Sequence, residues 1–185
     1  VAKNLENSGW IIEEPKAPNF QEAANFQATL WLGEFRRTGG EAISKENDPD
    51  SNFIYSQMSR RCPDTSLEKF MDSLQQRARI SREWNKFFDK YPIILCPITG
   101  DIPFPDLKDL ESKEAFDLVF DSMLPQIAPP YMGLPGLSFA TSQTKQNIPL
   151  GVQFISRKFR EDLLLNVAYD LEKYYPKIEP ALPSF

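Results

Sequence analysis

The sharpest change of rhythm along the chain lies between Gly133 and Lys173. Two apolar runs, Leu137–Ala140 and Leu150–Ile155, are joined by the polar segment Thr141–Asn147. This pattern predicts a β-hairpin with a longer loop. A Gly-Leu-Pro-Gly turn at Gly133–Gly136 leads into it. From Arg160 the apolar period changes from ~2 to ~3.6, which predicts an amphipathic helix. Leu163, Val167 and Leu171 share one face of that helix, with Leu164 and Ala168 beside them. Glu161 and Asp162 fall in its first turn, where carboxylates suit the positive end of the helix dipole.

The earlier chain alternates in a similar way. Val1–Gly9 reads as the back half of an amphipathic helix, stopped by Gly9 at the position after the last turn. Trp10–Glu14 reads as a short strand closed by Pro15. Asn19 is a candidate cap for a helix that carries Phe20, Ala23, Ala24, Leu30, Trp31 and Phe35, with Glu22 at the capping-box position. Arg36 and Arg37 suit its C-terminal end, and Thr38-Gly39-Gly40 stops it. Residues 41–52 read as a polar surface loop punctuated by Asp48-Pro49-Asp50, and 53–62 stay ambiguous. Thr65–Glu68 reads as a capping box before a long helix whose apolar face is Leu67, Phe70, Met71, Leu74, Ala78, Trp84 and Phe88. Ile93–Cys96 is a continuous apolar run, the pattern of a strand covered on both faces. Ser112 can cap a helix with Phe116, Phe120, Met123 and Leu124, which Pro125, Pro129 and Pro130 are expected to break. Pro176, Pro180 and Pro183 predict an irregular tail. Helices alternating with strands define an α/β protein with a sheet flanked by helices.

Composition narrows the function. The chain has 185 residues and 41% hydrophobic residues, enough for one packed region spanning 1–185. A net charge of −5 argues against nucleic acid as a partner, since that needs a basic face. No apolar run reaches the ~18 residues of a membrane span, so no membrane role is expected. No secretory signal opens the chain, and with two cysteines, Cys62 and Cys96, reduced thiols in a cytoplasmic protein are the simpler reading than one bridge. The absence of histidine removes Ser-His-Asp and Cys-His catalysis and the usual zinc sites.

Several motifs have plain structural readings. Ser66-Leu67-Glu68-Lys69 matches Ser-x-x-Lys, in which a lysine one turn along a helix can take the serine proton. Its place at a helix start makes it a cap. Thr38-Gly39-Gly40 lacks the lysine of a phosphate-binding loop. Asp101, Asp106, Asp109 and Glu111 lack calcium-ligand spacing. Cys96, at the end of a buried strand, reads as a core thiol. Trp84, Phe87 and Phe88 read as core. Pro97-Ile98-Thr99 stands apart, because the ends of strands in α/β sheets carry ligand-facing groups.

Three blocks resemble the amidase signature family: Lys3–Glu14, Trp84–Thr99, and above all Gly133–Lys173 with its Gly-Leu-Pro-Gly-Leu-Ser and Pro-Leu-Gly-Val-Gln segments. The resemblance implies a partial amidase-signature-type fold, with the mixed sheet of that family, and acyl transfer through a Ser-Ser-Lys triad without metal or organic cofactor. The chain has no Ser-Ser pair and no Gly-Gly-Ser-Ser-Gly segment, so no catalytic residue carries over. The similar region follows the family's triad, and a chain that opens inside a helix reads as truncated at its N-terminal side. The resemblance also places Tyr131, Met132 and Gly133, together with Pro97, Ile98 and Thr99, at the substrate-pocket wall. Pro130 stands where many members have Asn, which points to an apolar wall there. Three readings follow: the C-terminal portion of an amidohydrolase acting on a small amide, inactive alone; a non-catalytic module or transamidase component on the same scaffold; and a cryptic Ser66/Lys69 hydrolase. Sheet edges and apolar faces left without partners predict self-association or docking to the missing N-terminal part.

Overall fold

The computed structural model describes residues 1–175. The tail expected around Pro176, Pro180 and Pro183 lies outside the described residues. Eight α-helices and three strands are described: α1 Ala2–Asn7, α2 Phe20–Thr38, α3 Gly40–Glu46, α4 Pro49–Arg61, α5 Leu67–Lys90, β1 Ile93–Pro97, α6 Lys113–Ser122, α7 Leu124–Met132, β2 Gly136–Gln143, β3 Pro149–Ser156 and α8 Glu161–Glu172. The sheet has the order β1-β3-β2, and both pairings are antiparallel.

Side chains of a strand alternate between faces, and here the alternation sorts them into two cores. Ile94 and Cys96 of β1 and Ile155 of β3 face a core built with α2, α5 and α7. Ile93, Leu95, Val152 and Phe154 face the other way, onto α1 and α8. The continuous apolar run of β1 thus reflects cover on both faces. In the first core Trp84 is 1% exposed and stacks on Phe20 with centroids 4.4 Å apart. In the second, Leu164, Val167 and Leu171 of α8 bury against the hairpin. The hairpin and α8 follow the sequence pattern closely.

Five expectations change. Trp10–Glu14 is not a strand. Its Trp10 indole N–H donates to Asp170 at 2.8 Å and its Glu13 carboxylate accepts from Tyr91 at 3.3 Å. Side chains rather than a ladder hold the segment, whose Trp10 N–H turns back to the Leu5 carbonyl at 3.1 Å instead of pairing with a strand. Residues 41–52 are α3 and the start of α4. Asn47 ends α3 in the left-handed region at φ 56°, and the Asp48 carboxylate accepts from Ser51 N at 2.7 Å with Pro49 in the first turn. Asp-Pro-Asp is therefore a helix start: proline is pre-organised there and lacks a donor that would be orphaned anyway. The ambiguous 53–62 stretch continues α4.

The apolar face of α5 divides in two. Ile80, Trp84 and Phe88 are buried on the same stripe as Ser73, whereas Leu67, Met71 and Leu74 are exposed because they lie about a quarter-turn round the helix from that stripe, at ~100° per residue. Pro129 and Pro130 do not break α7 but lie inside it. The expected capping boxes are also simpler. Asn19 accepts from Gln21 N at 2.8 Å while Glu22 pairs with Arg79 instead, and Ser66 rather than Thr65 caps α5 by accepting from Lys69 N at 3.3 Å.

Candidate functional site

β1 ends at Pro97, opposite Val152 of β3. Pro97 is exposed and the next two residues are half-buried. The Ile98 carbonyl accepts from the Gln126 side-chain amide at 3.2 Å, which ties the loop to α7. The Ile98 methyl lies over Gly151, where an added Cβ would stand 3.0 Å from it and 2.8 Å from the Phe139 carbonyl. Only glycine leaves room for that approach. The Thr99 hydroxyl donates to the Asp101 carbonyl at 2.6 Å, and Gly100 N donates to the Ser122 carbonyl at 2.7 Å. The strand-end loop is thus fastened by its own polar groups.

Tyr131 and Met132 are 1% and 0% exposed and belong to the first core. The Tyr131 hydroxyl donates to the Ser73 carbonyl, and its ring stacks near Phe26. Burial pushes the Tyr131 phenol up to about 12, against the opposing pull of Arg77 and Arg79. Gly133 ends α7 with φ +67°, a conformation costly for residues with a Cβ. It is exposed, and Lys158 crosses it so closely that a Cβ would stand 2.8 Å from the Lys158 Cε. A helix rises ~1.5 Å per residue, so Gln126 and Gly133 are ~10 Å apart along α7. The structure therefore joins Ile98 to the first half of α7 and sets Gly133 at its far end, with Tyr131 and Met132 packed between α2, α5 and the sheet.

Gln153, the last residue of the Pro-Leu-Gly-Val-Gln segment, to which the sequence assigned no role, holds this arrangement. Proline at 129 has no N–H, so the Pro125 carbonyl loses its intrahelical donor. The Gln153 amide reaches from β3 and donates to that carbonyl at 2.9 Å. It also lies 3.8 Å from the Cys96 sulfur. Burial pushes the Cys96 thiol up, so it stays protonated and unreactive. The pair Pro125 and Pro129, spaced one helical turn apart, was the available signal for an outside donor. Both cysteines are free.

On another face of α7 lies a cavity of about 390 Å3, within the ~300–1,000 Å3 range of small-molecule sites. Gln21, Ala24, Asn25, Ala28 and Thr29 form its α2 wall. Phe120, Leu124 and Ile127 give it an apolar side, and Arg61, Cys62, Asp64 and Lys69 line the rest. Arg61 pairs with Asp117 at 2.8 Å and with Asp121, and lies 4.5 Å over the Phe120 ring. Hydrogen bonds from Arg61 and Arg60 lower the Asp117 carboxyl to about 2. Its residues come from five separate segments, so no single sequence motif describes it. The Ser-x-x-Lys motif stands at its rim, with the Ser66 hydroxyl engaged as the α5 cap. Among the described residues no three His, Cys, Asp or Glu side chains gather as metal ligands would, and no helix is long and apolar enough to cross a membrane.

Known proteins share this arrangement of elements. The family model described as Amidase matches residues 1–165. The chain is 25% identical over 173 residues to an indoleacetamide hydrolase of Bradyrhizobium diazoefficiens, covering 93% of this chain and 33% of that protein. It is 30% identical over 105 residues to a glutamyl-tRNA(Gln) amidotransferase subunit of Helicobacter pylori, covering 56% of this chain and 22% of that protein. Among solved structures, an allophanate hydrolase from Kluyveromyces lactis superposes with a TM-score of 0.73 at 17% identity, over 91% of this chain and 27% of that one. A 6-aminohexanoate cyclic dimer hydrolase gives 0.66 at 19% identity, over 95% and 40%. At those identities the two structures speak for the fold alone. The chain spans about a third of the indoleacetamide hydrolase's length.

Proposed function

The chain belongs to the amidase family, whose model matches residues 1–165, and from that premise we propose that it is the C-terminal portion of an enzyme that hydrolyses a small carboxamide through a serine acyl-enzyme. The match across most of the chain carries this reading. A hydrolase named for indoleacetamide among the relatives supports a compact amide as substrate. The nucleophile and its lysine lie outside these 185 residues, since the chain offers no Ser-Ser pair. In the reaction a serine attacks the amide carbonyl, backbone amides hold the oxyanion, the amine leaves, and water releases the acid.

In this reading the chain supplies scaffold and pocket wall. Pro97, Ile98 and Thr99 line the wall from the strand end, where the Gln126 and Gly100 hydrogen bonds hold the loop in place. Gly133 lines it from the end of α7, with Tyr131 and Met132 fixing its position from the core. The free thiols of Cys62 and Cys96 support a reducing, cytoplasmic setting.

A second reading is a component of an amidotransferase, in which the acyl group or the released ammonia passes to an acceptor. The higher identity to amidotransferase subunits, 30% over 105 residues, favours it over that stretch. One experiment addresses both. The 185-residue chain and the complete protein that carries it are incubated with indole-3-acetamide or glutamine and with a serine-directed fluorophosphonate. The chain is expected to release no ammonia and take no label, and the complete protein to be labelled on a serine outside it. Turnover by the chain alone, lost in Ser66→Ala, would move the chemistry to Ser66 and Lys69.

A further inference from the structure

We infer that the cavity between α2, α6 and α7 is a binding site for a small carboxylate with a flat apolar body. Its lining carries two cations, Arg61 and Lys69, and two carboxylates, Asp64 and Asp121. Arg61 is engaged by Asp117 and Asp121. Asp64 faces Arg36 at 3.9 Å. The two acidic side chains of the lining thus each have a cation, whereas Lys69 takes part in none of the ion pairs among the described residues. Its exposed ammonium is the lining cation left without an ion-pair partner.

The neutral groups point the same way. The Asn25 side-chain oxygen already accepts from Gln21 at 2.9 Å, and the Asn25 carbonyl accepts from the Thr29 hydroxyl at 3.0 Å. What Asn25 has to offer a ligand is its amide N–H pair, so the free polar groups include two kinds of donor. A carboxylate takes both, since it only accepts. Beyond the polar rim, Ala24 and Ala28 keep the α2 wall low, and Phe120, Leu124 and Ile127 present an apolar surface for a ring. A free inorganic anion would leave that surface wet, and a neutral apolar molecule would leave the exposed Lys69 and Asn25 to water. An arylacetate-sized acid satisfies both halves. Such binding is a property of the chain itself and stands or falls apart from the hydrolytic reading.

The test is calorimetric titration of the chain with phenylacetate and with its neutral isostere phenylacetamide, circular dichroism verifying that each variant is folded. Phenylacetate is expected to bind at least ~10-fold more tightly, the factor that ~1.4 kcal/mol represents. Lys69→Met should remove that gap while leaving the amide's affinity unchanged. Ala28→Leu, which fills the α2 wall, should weaken both ligands. Equal binding of acid and amide, a gap that survives Lys69→Met, or no binding of either ligand overturns the inference. Failure of the hydrolytic reading would show separately, as absence of ammonia release by the complete protein.

Discussion

The hydrogen bond from Gln153 to the Pro125 carbonyl offers a direct check on why α7 survives its own prolines. Replacing Gln153 by Met keeps the length of the side chain and removes its N–H donors. The bond is 2.9 Å long and half-buried. A net intramolecular hydrogen bond contributes ~0.5–1.5 kcal/mol, and leaving a buried acceptor unmet costs ~1–3 kcal/mol. Partial solvent access at Gln153 places the expected loss at ~1–2 kcal/mol. For a chain of this size each kcal/mol moves the melting temperature by ~2–4 °C, so Gln153→Met should melt ~2–8 °C lower.

The sharper statement concerns coupling. Pro129→Ala restores the N–H that the Pro125 carbonyl lacks, at some cost for the buried ring it deletes. In that background the carbonyl has its own helical donor, and Gln153→Met should cost ~1 kcal/mol less than in the parent. Urea unfolding of the four proteins of the cycle, followed by circular dichroism, measures the difference. If the two changes add to within ~0.5 kcal/mol, as independent sites do, Gln153 is not standing in for the missing amide and the account of α7 fails.

Three further outcomes follow from other parts of the molecule. Asp117 is held at about 2 by Arg61 and Arg60, so its contribution to stability is present above the ordinary carboxylate range and disappears as pH falls from ~4 toward ~2; Asp117→Asn should flatten acid unfolding in that window, and an NMR midpoint near ~4 would refute the pairing. Tyr131, raised to about 12 by burial, favours the folded state until pH rises through ~10 to ~12; Tyr131→Phe should shed that alkaline dependence and, with the bond to Ser73 gone, cost ~1 kcal/mol at neutral pH. β1 and β2 are the outer strands of the described sheet, and unpaired edges template association; the chain alone should scatter light as a dimer or larger species at micromolar concentration, and a monodisperse monomer would count against it.

The sequence by itself determined the elements whose causes are local. The hairpin, α8 and the run of β1 follow from periodicity and caps, which depend on residues within a turn or two of one another. The Gly-Leu-Pro turn and the strands after it also carried the family, because their order is specific even where their chemistry is bland. The tertiary structure decided what depends on distant partners. Asp48-Pro49-Asp50 has the composition of a loop, and only the Ser51 bond shows it to be a cap. Apolar residues lie on two stripes of α5, yet only the stripe of Ser73, Ile80, Trp84 and Phe88 is buried, and Leu67, Met71 and Leu74 beside it stay exposed. Trp10–Glu14 has the look of a strand but no ladder among the described residues. Two prolines inside a helix read as a break until a glutamine on a strand supplies the missing donor, and a binding cavity appears only when five separate segments meet. A local pattern states what a segment prefers; burial and hydrogen-bond supply from elsewhere in the chain decide whether that preference is met.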